Sequence, residues 1–114
     1  MRRGEVWLGN LNPNRGAEVG KVRPVLVIQA DFLLAQGDPT VVVLPLTTQV
    51  RESKLPLHVN VPARDGLAED CQVMPEQPRT LDRARLLEGP LTRLNADEMS
   101  AVERSLSAVL GLYR

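Results

Sequence analysis

Apolar residues in this chain come first in short, β-branched runs and only near the end at helical spacing. Glu5-Val6-Trp7-Leu8 follows Gly4 and reads as a first strand. Val25 to Ile28 are apolar without a break, the pattern of a strand buried on both faces; with its flanks it spans residues 24–29. Val41 to Leu46 is the next strand, and Pro45 places its end at an edge or a bulge. Leu57-His58-Val59-Asn60-Val61 alternates, as a strand with one wet face does, and puts His58 and Asn60 on that face. Cys71 to Met74 is a fifth short strand beyond a turn at Asp65-Gly66. Leu81 to Leu87 reads as a short helix stopped by Gly89-Pro90.

The last element has the fullest set of local signals. Asn95 stands as an N-cap with Glu98 three positions on, close to a capping box, and Leu94 and Met99 occupy the places of a hydrophobic staple. Met99, Val102, Leu106, Val109, Leu110 and Tyr113 then recur at helical spacing and give one core-facing side. Between the first two strands, residues 9–20 are rich in breakers, which fits either a plain surface loop or a functional lid. Five short strands and one terminal helix predict a mainly β protein of the α+β kind: a small, strongly bent antiparallel sheet or half-open barrel closed by the helix.

The length, 114 residues, suits one domain, residues 1–114, with a modest core. No apolar run is long enough to span a bilayer, and Glu5, Asn10 and Asn12 interrupt what would be a signal-peptide core after Arg2 and Arg3. The expectation is a cytoplasmic protein without membrane contact. Cys71 is the single cysteine, so no intramolecular disulfide forms; beside Val73 and Met74 it reads as a buried, inert thiol.

Fourteen Lys plus Arg balance fourteen Asp plus Glu. A protein that coats nucleic acid regardless of sequence is more basic than this. Residues 1–54 carry seven basic and five acidic residues, residues 55–114 seven and nine. A nucleic-acid site is therefore a local groove drawn mainly from the first half. Trp7, Phe32 and Tyr113 are the only aromatics, which argues against recognition by rows of stacked bases. No His/Cys/Asp/Glu spacing suggests a metal, and there is no Gly-rich phosphate loop or nucleophile elbow.

Chemistry concentrates where the second and third strands meet. Pairing 24–29 with 41–46 antiparallel and without a bulge sets opposite each other residues whose numbers add to 70, so Arg23 falls opposite Thr47. A guanidinium and a hydroxyl would then share one end of the hairpin, with Thr48 and Gln49 beside them. Arginine offers a planar fork of donors suited to phosphate oxygens, and threonine one further donor. The plainer alternative is an arginine capping a strand end beside two threonines of high strand propensity. His58 is a weaker candidate, read as a surface residue.

The chain resembles the MazF/PemK family of toxin endoribonucleases from toxin–antitoxin pairs. The resemblance rests on Arg3-Gly4-Glu5-Val6-Trp7, Arg23-Pro24-Val25-Leu26-Val27-Ile28-Gln29, Leu46-Thr47-Thr48-Gln49, Lys54-Leu55-Pro56-Leu57-His58-Val59 and Glu76-Gln77-Pro78-Arg79-Thr80-Leu81, in that order. It implies an SH3-like barrel of the CcdB/MazF-like toxin fold with a C-terminal helix, acting as a homodimer. The implied activity is sequence-specific, metal-independent and cofactor-free cleavage of single-stranded RNA, leaving 2′,3′-cyclic phosphate and 5′-hydroxyl ends. It implies Arg23 and Thr47 as catalytic residues. Glu18, Gly20, Lys21, Pro24, Thr48, Gln49, Lys54, Gln77 and Arg79 are then substrate-binding positions, and residues 9–20 the gating loop. No general base is assigned, Glu18 and His58 being outside candidates. The implied protein partner is a MazE-like antitoxin with an acidic, disordered tail. Pro78 and Cys71 depart from the aliphatic residue and the serine common in the family. The rival on the same fold is a CcdB-like toxin that poisons DNA gyrase; its Trp-Gly-Ile chain end is replaced here by Gly111-Leu112-Tyr113-Arg114. An SH3-like adaptor for peptides is disfavoured by the scarcity of aromatics.

Overall fold

The computed structural model describes residues 1–18 and 20–112. In chain order the elements are β1 (Glu5–Asn10), β2 (Val22–Val27), α1 (Asp31–Ala35), β3 (Thr40–Thr47), β4 (Val59–Val61), β5 (Cys71–Val73), β6 (Arg79–Asp82), β7 (Leu86–Arg93) and α2 (Ala96–Val109). They form one curled antiparallel sheet in the order β4-β5-β3-β2-β1-β7, with β6 also paired to β3. This is the small half-barrel with a terminal helix that the sequence predicts.

β2 and β3 lie at its centre, and their alternation sorts the core into two layers. Val25 and Val27 join Leu11, Leu34, Val41, Val43 and Leu81 on one face. Leu26 and Ile28 join Leu44, Leu46, Val61 and Val73 on the other, where Val102 of α2 closes the cluster. The unbroken apolar run 25–28 is thus a strand with core on both sides. The register is Val25↔Pro45, Leu26↔Leu44 and Val27↔Val43, the pairing that adds to 70.

Pro45 marks neither an edge nor a bulge. The first half of β3 pairs with β6 (Val43↔Arg79) and its end with β5 (Leu46↔Val73). Pro45 sits at the changeover, where its carbonyl accepts from Met74 N at 2.9 Å. A residue's N and O project to the same side of a strand, so the missing N–H would have pointed into the gap between β5 and β6.

Residues 81–87 are not a helix. Leu81 is buried on β6, Arg83–Arg85 make a single 3-10 turn capped by the Asp82 side chain, and Leu86 opens β7. Gly89-Pro90, expected to stop that helix, lies inside β7, a mostly exposed edge strand in which a proline costs no ladder bond. The β1–β7 register shifts twice here. A Cβ on Gly89 would stand 2.4 Å from the Trp7 ring, so the strand passes over the indole only because residue 89 has no side chain.

Three smaller corrections concern the helices and His58. α1, between the second and third strands, went unforeseen. α2 has the foreseen capping box, with Asn95 accepting from Glu98 N at 2.8 Å and Glu98 accepting from Asn95 N at 2.9 Å. Its apolar face packs as far as Leu106: Val109 and Leu110 beyond it are exposed, and Tyr113 lies outside the described residues. His58 is no surface residue; it precedes β4 and is 5% exposed.

Candidate active site

Register alone assembles the site. Asn60 pairs with Gln72, and Gln72 with Thr47. The β2–β3 register carried two positions further sets Thr47 against Arg23, and Arg23 pairs with Gly9. Directly opposed residues share a face. Asn60, Gln72, Thr47 and Arg23 therefore form a polar row across four strands at one end of the sheet. Arg79, paired with Val43, lies on this same face one strand away.

Arg23 is half-buried and its fork is partly committed. Nε donates to Gly20 O at 2.9 Å and Nη1 to Leu46 O at 3.3 Å, which holds the guanidinium beside the end of β3. Burial lowers its pKa from the ordinary arginine value, while arginine stays cationic at neutral pH. Thr47 Oγ1 accepts from Gln49 N at 3.1 Å, so the hydroxyl keeps its proton for another acceptor. A positive fork with free N–H groups beside a hydroxyl donor can hold and polarise a phosphodiester.

Six of the other expected binding positions fall into three pairs. Gly20 and Lys21 stand against Arg23, Lys21 at φ +72° in the left-handed region. Gln49 and Lys54 are exposed on the β3–β4 connection, with Gln49 Oε1 accepting from Arg51 Nη2 at 3.3 Å. Gln77 begins the approach to β6, its N donating to Met74 O, and Arg79 Nη2 reaches Leu11 O at 3.4 Å. Pro24 and Thr48 lie apart from these. Together with Leu8, Leu67, Cys71 and Glu88 they line a cleft on the opposite face of the sheet. Glu18 is exposed and its carboxylate accepts from Arg15 N at 2.8 Å, within its own loop. Cys71 is buried as expected, and burial, followed by the charges of Glu69 and Asp70, pushes its thiol up.

The sequence reading overlooked the far half of the polar row. Gln72 is fully buried; its amide donates to Arg51 O at 3.1 Å and to Asn60 Oδ1 at 2.9 Å. His58 Nδ1 stands 3.2 Å from Gln72 Oε1 and Nε2 2.6 Å from Glu76 Oε2. These groups tie the 48–58 connection, with Thr48, Gln49 and Lys54, to the strand beside Thr47. A glutamine in a three-residue buried strand was the available signal: a polar side chain there must find partners.

The fold and site define a class: a small curled barrel closed by a helix, with a guanidinium and a hydroxyl at one pole. Residues 2–110 match the model of the PemK-like, MazF-like toxins of type II toxin-antitoxin systems, and the chain belongs to that family. It is 40% identical over 113 residues to endoribonuclease EndoA of Bacillus subtilis (strain 168), covering 98% of this chain and 96% of that protein. The crystal structure of MazF (Form-I) from Deinococcus radiodurans aligns with a TM-score of 0.82 at 25% identity, over 97% of this chain and 96% of that one. A MazE-MazF (Form-II) structure from the same organism gives 0.75 at 27%, over 98% and 96%.

Proposed function

We propose that this protein is an endoribonuclease toxin that cuts single-stranded RNA at a short sequence and is neutralised by a cognate antitoxin. The observation that carries the reading is the Arg23 guanidinium held beside Thr47 at one pole of the sheet, in a chain of this family. The same relatives support RNA cleavage over the gyrase-poison alternative.

In this mechanism the RNA 2′-oxygen forms a bond to the adjacent phosphorus as the bond to the 5′-oxygen breaks. The 2′-hydroxyl gives up its proton, the 5′-oxygen takes one, and the products are a 2′,3′-cyclic phosphate and a 5′-hydroxyl. Arg23 stabilises the charge that grows on the phosphorane, and Thr47 donates to a non-bridging oxygen. Lowering of the Arg23 pKa by burial acts in the direction that eases proton donation to the departing oxygen. Lys21, Lys54 and Arg79 contact phosphates, and Gln49 and Gln77 read base edges. The antitoxin's acidic tail folds along the same cationic face and displaces RNA, as a disordered segment able to wrap a large surface can. The protein works as a homodimer in the cytoplasm.

The test is incubation with a long, unstructured RNA in excess EDTA, followed by mapping of the ends. Cuts at one motif with 5′-hydroxyl ends, lost in Arg23→Ala and Thr47→Ala, support the reading. Intact RNA across sequences and salt concentrations overturns it, and cuts that survive both substitutions displace the site.

A further inference from the structure

We propose that Asn12, which no motif singles out, is a positioning residue for Arg23, acting through the peptide unit between Gly20 and Lys21, with Arg85 holding Asn12 in place. The catalytic part of this inference rests on the endoribonuclease reading; the structural part does not.

One peptide unit lies between the two side chains. Its carbonyl, Gly20 O, accepts from Arg23 Nε at 2.9 Å. Its N–H, on Lys21, donates to Asn12 Oδ1 at 2.8 Å. An N–H can only donate, so the orientation of the Asn12 amide is settled: its oxygen faces Lys21. Lys21 has φ +72°, a conformation that residues with a side chain rarely adopt and that must be held by its surroundings. The bond from Asn12 is one restraint; the other is Lys21 O, which accepts from Leu11 N at 2.8 Å. Together they turn the Gly20 carbonyl toward the guanidinium.

Asn12 is in turn fixed at every polar group of its backbone. Its N–H donates to Asn10 Oδ1 at 3.0 Å, and its carbonyl accepts from Arg85 Nη1. The same Arg85 nitrogen reaches Asn10 O at 3.2 Å, and Arg79 grips Leu11 O, whose side chain is fully buried. Cationic donors from the β6–β7 region thus clamp three successive carbonyls, 10 to 12, at the base of the loop. A Cβ on Gly20 would stand 2.3 Å from Asn14 Oδ1, so residue 20 lies directly against the Asn14 side chain. Arg23 is oriented from a turn more than sixty residues away, through Arg85, Asn12 and a single peptide.

The experiment combines kinetics with a direct view of the bond. Asn12→Ala removes the acceptor, and Asn12→Asp keeps an oxygen in its place. kcat and KM are measured on a fluorogenic RNA carrying the wild-type cut site. The Arg23 Nε–H resonance, assigned by its loss in Arg23→Lys, is followed by 15N NMR and hydrogen exchange. The expected result is a fall of about tenfold in kcat for Asn12→Ala with KM within about twofold, as for a misplaced catalytic group. Arg23 Nε–H should exchange faster, and Asn12→Asp should restore both readouts. An unchanged Nε–H signal, an unchanged kcat beside a changed signal, or no rescue by Asp each overturns the proposal. Should Asn12→Ala lose its cooperative melt, Arg85→Gln is read in the same way. If the wild type cuts no RNA, the endoribonuclease reading falls, and the Nε–H comparison still decides whether Asn12 orients Arg23.

Discussion

Arg23 and Thr47 differ in what each can lose. Arg23 carries the charge and is aimed by two carbonyls, whereas Thr47 supplies one neutral donor. Arg23→Ala should lower the cleavage rate by about 10³ and Thr47→Ala by about 10², the range for removing a donor to a developing oxyanion. Arg23→Lys should rescue little, because an ammonium cannot span Gly20 O and Leu46 O while presenting a fork to phosphate. Single-turnover rates on the mapped site check all three, and a lysine variant near wild-type speed would refute the geometric argument. Gly89 is a purely structural counterpart. Gly89→Ala drives a methyl into the Trp7 ring at 2.4 Å and should cost about 1–3 kcal/mol in urea denaturation, with the active-site residues untouched.

At the scale of elements, the start of α2 joins a local signal to a distant anchor. The capping box is intrinsic to Asn95 and Glu98, and Asn95→Ala should lower stability by about 1 kcal/mol. Glu98 does more, since Arg64 reaches across from the 62–70 turn to bind both of its oxygens, at 2.6 and 2.7 Å. The hydrogen bond from Arg64 holds the Glu98 carboxyl below its ordinary range; burial pushes the other way and loses. A carboxyl depressed in the folded state stabilises above its unfolded value, near pH 4.3, and that contribution is lost as pH falls through the folded one. Glu98→Gln should therefore cost about 1–3 kcal/mol at pH 7, and the gap from wild type should close on acidification below about pH 4. Denaturant melts at pH 7, 5 and 3 measure it; a gap that persists at pH 3 would assign the effect to packing.

For the whole molecule, charge balance shapes how RNA is held. With fourteen basic and fourteen acidic residues, the number of phosphates neutralised is set by the few cations on the Arg23 face. If Lys21, Arg23, Lys54 and Arg79 each contact one, log K against log[salt] should have a slope of about −3, from roughly −0.7 per contact on a single strand. A slope several times steeper would mean a far more extensive electrostatic interface. A substrate carrying one 2′-deoxy nucleotide at the cut should bind with near-normal affinity and stay intact, since only the nucleophile is missing.

The parts legible in sequence are those whose physics is local or periodic. The capping box, the doubly buried run 25–28 and the β2–β3 pairing all follow from neighbouring residues or from two equal apolar runs. That pairing, carried outward, sets Arg23 opposite Thr47, so the placement of these two side chains follows from the strand arithmetic. The tertiary structure decided what depends on distant partners. Leu81 to Leu87 is rich in helix formers, yet β3 and β1 recruit its ends as strands, because pairing an edge and burying Leu81 outweigh weak propensity. His58 looks wet by alternation and is buried because Gln72 and Glu76 meet it there. Asn12 gains its place from a carbonyl grip by Arg85, seventy-three positions on. Periodicity carries information along one strand or helix; which strand end a polar side chain faces is set only when the sheet closes.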